Sequence, residues 1–426
     1  MKTKFLFLLL TFSIFYNAYS QSGWFLQLTL PNGAQIVDMC FLNENTGWAV
    51  GGSNLGGVIY KTTNGGTNWI LIQTIPGTSF SSVSFSNSLA GHVVDAAPFG
   101  KIYRTTNGGE NWTSQSIGES IKLVFFPSLD TGYITSSNST NIYKTTNGGI
   151  NWIGYLTPYS IPMKSIYFIN SNTGWISCNQ GLVMKTTNSG INWLGFQTQS
   201  EKELASIFFI DEQIGWTVGQ QKKILKSTNG GSNWFSLNNT DTTTDNRYNS
   251  VFFITASTGW IAGLDTIFYT TNGGYNWTRQ KVSIFWAGVP YRAIKFVNNN
   301  TGWVTNFYEI YKTTTGGNPI GIKKISSEIP KSFSLSQNYP NPFNPATKIK
   351  FEIKPPLTPL LSKERTGVVL KIYDILGREV ATPVNEPLKP GTYEVDFDGS
   401  NLRSGVYYYK LIANEFTETK KMVLVR

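Results

Sequence analysis

KTTNGGTNW, residues 61–69, holds no nucleophile and no metal ligand, yet near copies of it pace the chain. The TTNGG core stands at Thr62, Thr105 and Thr145, becomes TTNSG at Thr186 and STNGG at Ser227, returns at Thr270 and ends as TTTGG at Thr313. Its closing tryptophans, Trp69, Trp112, Trp152, Trp193, Trp234 and Trp277, lie 43, 40, 41, 41 and 43 residues apart, and the seventh copy has none. A second landmark runs in phase: TGW at Thr46, TGY at Thr131, TGW at Thr173, IGW at Ile214 and TGW at Thr258 and Thr301, with a degenerate AGH at Ala90. Self-similarity at a fixed period of about 40 residues marks a repeat architecture, so this motif decides the fold.

Each repeat contains four short runs rich in Val, Ile, Tyr, Phe and Thr. In the first they are IVDMCFL, WAVGG, VIYKTT and NWILIQ, separated by Asn and Gly turns. Such runs are strands joined by hairpins, and four of them per repeat is one propeller blade. Asn-Gly suits the hairpin because both residues tolerate positive φ. The first glycine becomes Ser189 in the fourth copy, whereas the second is always glycine, at Gly66, Gly109, Gly149, Gly190, Gly231, Gly274 and Gly317. The left-handed or crowded position is therefore expected to be the second. The Asn64 carbonyl is expected to staple the turn, and the tryptophan just beyond to wedge between blades.

The seventh copy runs into Asn318-Pro319-Ile320, where proline stands in place of a fourth strand. Near the start, Gly23-Trp24-Phe25-Leu26-Gln27-Leu28 matches NWILIQ without a preceding turn, and Trp24 lies 45 residues before Trp69. An orphan strand at one end and a missing one at the other are what a closed ring requires, since closure removes free sheet edges. The expected fold is all-β: a seven-bladed β-propeller closed by its N-terminal strand.

Residues 1–20 combine two lysines, an apolar run over 5–15 and small residues before Gln21, which reads as a secretory signal cleaved between Ser20 and Gln21. No later apolar run is long enough to span a bilayer as a helix. Cys40 and Cys178 lie in separate repeats and read as unpaired core residues. The formal charge of +10 is spread along the chain, with 17 basic against 14 acidic residues over 21–321 and 16 against 11 over 322–426. A nucleic-acid binder would gather its charge on one stripe, so that partner is not expected.

The T-T-N-G-G-x-N-W unit resembles the Asp-box of BNR repeats, with Asn in place of Asp, and its pairing with T-G-W is similar to photosystem II assembly and stability factor-like propellers. That resemblance implies a fold and not a reaction, and a surface-exported protein is in the wrong place for the photosynthetic role. The segments FSLSQNYPNPFNPATKIKFEI, KIYDILGREVATPV, GTYEVDFDGSNLRSGVYYYKL and KKMVLVR resemble a type A C-terminal sorting domain of the type IX secretion system. This implies the secretion machinery as a partner and a route through the periplasm to the outer-membrane surface or the medium. The alternating runs 369–373, 392–397, 406–412 and 420–425 read as a small Ig-like β-sandwich. Residues 355–367, with three prolines, read as an inserted loop. The domain expectation is a signal peptide (1–20), propeller (21–320), linker (321–332) and sorting domain (333–426).

Enzymatic residues are sparse. A sialidase-like or other glycan-processing activity would need clustered arginines, and the propeller holds Arg104, Arg247, Arg279 and Arg292, with no pair of carboxylates outside the repeat pattern. His92 is the only histidine and fills the aromatic slot of AGH, so neither a metal site nor a catalytic triad is supported. No cofactor is expected. The residue before each T-T pair is Lys61, Arg104, Lys144, Lys185, Lys226, Tyr269 and Lys312, a candidate basic ring for a surface polysaccharide or a protein ligand; the competing reading lays each stem over its own blade. The reading is a secreted, monomeric, non-enzymatic binding or scaffold module.

Overall fold

The computed structural model describes residues 23–31, 33–96, 100–137, 140–237, 247–280, 282, 289–317, 322–326, 328–355, 366–399 and 402–425. The signal segment with Ser20 and Gln21, and the inserted stretch 356–365, lie outside them. Contacts divide the chain into two compact units, Ser22–Asn318 and Pro319–Arg426.

In the first unit, blade 1 comprises Gln35–Phe41, Gly47–Ser53, Gly56–Thr62 and Ile70–Ile75, each strand antiparallel to the next. Five further four-stranded sheets repeat the order, with first strands Phe80–Phe85, Ile121–Phe125, Met163–Phe168, Leu204–Phe209 and Ser250–Phe253. Blade 7 takes Ala293–Phe296, Gly302–Thr305 and Glu309–Gly317 from its own repeat and Gly23–Thr29 from the N-terminal end. Gly23 pairs with Gly317 and Thr29 with Glu309, so the orphan strand supplies the missing edge. The first strands of successive blades touch one another all round, blade 7 against blade 1 included, which places them innermost and closes the ring. Burial falls outward: Gly91–Asp95, the second strand of blade 2, is wholly buried, whereas its fourth, Thr113–Ser116, is wholly exposed.

The blades are joined by one three-ring unit used seven times. The landmark aromatic of each blade stacks face to face on a phenylalanine that ends the first strand of the next. The pairs are Trp48 on Phe85, His92 on Phe126, Tyr133 on Phe168, Trp175 on Phe209, Trp216 on Phe253, Trp260 on Phe296 and Trp303 on Phe41, with centroids 3.6–3.8 Å apart. The box tryptophan of the second blade then meets the same phenylalanine edge-on at 5.7–6.2 Å, from Trp69 through Trp112, Trp152, Trp193, Trp234 and Trp277. Trp24 is the seventh, 5.8 Å from Phe296 at 82°. Edge-to-face geometry is favoured by the ring quadrupole, and such pairs add about 0.5–1.5 kcal/mol beyond area burial. Each landmark glycine leaves room for this ring: a Cβ on Gly215 would lie 2.5 Å from Phe209.

The second unit has two four-stranded sheets. One runs Ile322–Ser326, Gly391–Asp398, Ala346–Ile353, Ser334–Leu335, and the other Glu379–Leu388, Thr366–Asp374, Gly405–Ala413, Phe416–Leu424. Both contribute to one core, including Ile349, Phe351, Val395, Leu370, Tyr409 and Met422. The expected linker 321–332 needs correction. Its residues 322–326 pair with the Gly391–Asp398 strand, because IKKIS can complete an open sheet edge that its lysine content disguised.

Candidate functional site

The box turn is built by its threonine and asparagine. Thr62 Oγ1 accepts from the Gly66 amide at 2.8 Å and donates to Asn64 Oδ1 at 3.1 Å, and Asn64 Oδ1 also accepts from the Asn68 amide at 2.9 Å. Both glycines are left-handed, Gly65 at φ 68° and Gly66 at φ 93°, which corrects the expectation that only the second is special. Ser189 adopts φ 58° at the first position, where an L residue is strained but accommodated. The second position is closed from two sides by tryptophan: a Cβ on Gly66 would lie 3.2 Å from both Trp303 and Trp69. Trp112, Trp193 and Trp234 donate to Gly109, Gly190 and Gly231 of their own turns, at 3.0, 3.1 and 2.9 Å. Trp24 instead donates to Gln280 Oε1 at 3.1 Å.

Three members of the basic ring are inter-blade clasps. Lys61 donates to the Gly108 carbonyl at 2.9 Å, Arg104 to Gly148 at 2.7 Å and Lys226 to Gly273 at 3.2 Å, each on the box turn of the next blade. Lys185 and Lys312 lie over the Trp175 and Trp303 rings at 5.6 and 5.4 Å. Tyr269 has no ammonium to offer, and Gln280 takes over by donating to Gly316 at 2.7 Å. Lys144 makes no hydrogen bond among the described residues, and at that junction Tyr133 donates to Ser171 instead. None of the six basic residues is exposed, so they do not form an open charged rim. The reason is geometric: the carbonyl of the first turn glycine points at the preceding blade, where the landmark indole also donates to it, as from Trp175 to Gly230 at 2.9 Å.

His92 performs the indole's task. Its Nε2 lies 3.1 Å from the Gly148 carbonyl, which requires the Nε2–H tautomer. Burial pushes the imidazole down to about 3, so it is uncharged at neutral pH. The landmark tryptophans Trp48, Trp175, Trp216, Trp260 and Trp303 are fully buried, so they pack the core and offer no stacking surface to a sugar. Cys40 and Cys178 are free, and burial pushes the Cys178 thiol up to about 12. Two of the four arginines stand apart: Arg104 is a clasp and Arg279 is exposed on the outer strand of blade 6.

Arg247 and Arg292 do meet, at the central channel, in company that the repeat pattern hid. Counting back four residues from each junction phenylalanine gives Val37, Ser81, Lys122, Lys164, Ala205, Asn249 and Arg292. These lie at the start of the innermost strands, on the face that carries the connections between blades. In the first five blades this residue is where the pairing register slips by one, as between Ile121 and Leu123 or between Met163 and Ser165. A bulge re-aims its side chain. Burial and then Lys164, Arg247 and Arg292 lower the Lys122 pKa, with Glu203 opposing. Lys122 in blade 3 and Arg292 in blade 7 interact only across the axis.

Glu203 anchors the group. Lys164 lies 2.8 Å from its Oε2, and Arg247 bonds its Oε1. Arg292 stacks 4.5 Å over the Phe307 ring, and burial followed by Arg247 lowers its pKa. Among the described residues the mouth therefore holds four cations around one carboxylate, and neither Lys122 nor Arg292 bonds a carboxylate there. Confinement between low-dielectric walls focuses such a field on an incoming anion.

Fold and site together define a closed seven-bladed propeller followed by a secretion sorting domain, with a basic channel mouth in the propeller. The chain belongs to the photosynthesis system II assembly factor YCF48 family, which it matches over residues 17–157 and 191–321. Residues 337–425 match the secretion system C-terminal sorting domain. A solved structure described as YCF48 bound to D1 peptide is 21% identical, with a TM-score of 0.59 over 70% of this chain and 96% of that one. YCF48 from Cyanidioschyzon merolae is 20% identical, covering 69% and 99% at a TM-score of 0.56. A catalytically inactive virginiamycin B lyase from Staphylococcus aureus with quinupristin is 17% identical, covering 69% and 98% at 0.55. At these identities the structural likeness shows the fold alone. No curated protein matches the chain.

Proposed function

We propose that this exported propeller is a non-enzymatic binding module of the cell surface or medium, and that its ligand is an acidic peptide segment taken at the channel mouth. The observation that carries the reading is the group Lys122, Lys164, Arg247 and Arg292 around Glu203, drawn from five different blades onto one axis. Four cations from separate blades make a ring that an extended acidic chain end can enter, whereas catalysis would need an acid, base or nucleophile beside them. Among the described residues the carboxylate there is Glu203, which is held by Lys164 and Arg247. A YCF48 structure described as bound to D1 peptide supports a peptide as the class of ligand. The sorting domain carries the module to the secretion machinery, and its removal on arrival leaves the propeller as the acting part.

The test is fluorescence anisotropy with a fluorescein-labelled acidic hexapeptide and its neutral amidated analogue. Binding of the acidic peptide is expected to fall with salt, because the contacts are charge-based. The triple variant Lys122→Gln, Lys164→Gln, Arg292→Gln is expected to weaken it at least ~10-fold, equivalent to about 1.4 kcal/mol. Equal affinity for the neutral peptide, or an unaffected triple variant, would overturn the proposal.

A further inference from the structure

Among the described residues the propeller buries a carboxylate that no cation bonds. Glu309 begins the third strand of blade 7 and is 1% exposed. Its Oε2 accepts from the Tyr311 hydroxyl at 2.7 Å and from Asn306 Nδ2 at 3.0 Å. Its Oε1 is buried and accepts nothing, and the buried Tyr291 hydroxyl is likewise without a partner. Among the described residues no lysine or arginine bonds Glu309, and a buried carboxylate without a cation is destabilising.

The surroundings supply oxygen from two blades. Tyr291 donates its amide to Gly263 at 3.0 Å, which fastens it to the blade 6 hairpin that carries Asp265. After burial, the charges of Glu309 and then Asp265 raise the Tyr291 pKa, so both carboxylates act on this hydroxyl. Asn306 Oδ1 accepts from the Tyr308 and Glu309 amides at 2.8 and 2.7 Å, which sets the blade 7 hairpin around the same point.

We propose that Glu309 Oε1, the Tyr291 hydroxyl and the Asp265 carboxylate bind a calcium ion that ties the blade 6 and blade 7 hairpins together. Among the described residues no three His, Cys, Asp or Glu side chains gather, so hydroxyl and backbone oxygens complete the shell. An all-oxygen, irregular shell suits calcium, whereas zinc takes nitrogen and sulfur and magnesium demands an octahedron. Two carboxylates place the affinity in the range of extracellular modules, about 10⁻⁴–10⁻³ M. The ion would also steady the mouth, because the blade 7 hairpin carries Phe307, on which Arg292 stacks.

The experiment uses the mature chain stripped with EDTA. Calcium chloride is expected to raise its melting temperature, and terbium is expected to give aromatic-sensitised emission that calcium displaces. Glu309→Gln should abolish both responses. Asp265→Asn, on a partly exposed hairpin, should weaken calcium affinity at least ~10-fold and decides the matter if Glu309→Gln does not fold. No response in the unmodified chain, or one that survives in both variants, overturns the site whether or not the mouth binds peptide.

Discussion

The blade junctions and the channel mouth are built from equivalent positions of the same repeat, and they diverge. At the junction, phenylalanine recurs in every blade, at Phe41, Phe85, Phe126, Phe168, Phe209, Phe253 and Phe296, with the landmark glycine always six residues on. Four residues before it, at the mouth, the side chains run Val, Ser, Lys, Lys, Ala, Asn, Arg. A position that repeats is answering the same packing problem in each blade. One that varies on identical backbone is free to serve something outside the fold. The basic ring belongs with the first kind, since Lys61, Arg104 and Lys226 clasp neighbouring turns and Lys185 and Lys312 lie over buried indoles.

This contrast can be broken at its strongest point first. Trp24→Ala removes the wedge of the seventh junction and leaves the Gln280 amide without its indole. Large aromatic truncations in a core cost about 3–5 kcal/mol, so urea denaturation should show a loss of that size, matching Trp193→Ala. A negligible change would mean that the N-terminal strand is an accessory. Phe209→Ala should cost a similar amount, because one ring serves both a stack and an edge contact.

The junction that uses histidine sharpens the comparison through pH. The unfolded His92 takes up a proton near its ordinary value, whereas the folded one resists until about 3. Between these values the unfolded chain binds more protons, so this group's contribution to stability falls as pH is lowered through that window. The slope approaches about 1.4 kcal/mol per pH unit for the single site. Subtracting the stability profile of His92→Phe from that of the unmodified chain should reveal it; identical profiles would place His92 in water.

The smallest stability effects belong at the mouth. Lys122→Gln relieves repulsion among like charges and should change the unfolding free energy by less than about 1 kcal/mol. A large loss in the urea midpoint would make the mouth part of the architecture and erase the contrast.

Much of this was legible in the chain. Turn and tryptophan spacing announced the blades, and Trp24 announced closure, because each is local chemistry repeated in register. The junction phenylalanines were equally visible as F-x₅-G followed by an aromatic, a pattern that includes the degenerate AGH copy. Taken singly they carry little signal, because phenylalanine in a strand is ordinary. The clasping role of Lys61, Arg104 and Lys226 was not legible, since it depends on where the next blade presents a carbonyl. Nor was the mouth: Lys122 and Arg292 are separated by 170 positions and meet only because a ring folds back on itself.

Closure by the N-terminal strand is the claim on which ring, junction and mouth all depend, and hydrogen exchange tests it most directly. In the mature chain, the amides of Glu309–Gly317 that face Gly23–Thr29 should be protected. Deleting residues 23–29 should release them and loosen the contact of Phe296 with Trp260. Protection of Glu309–Gly317 that is unchanged by the deletion would contradict the closed ring described here.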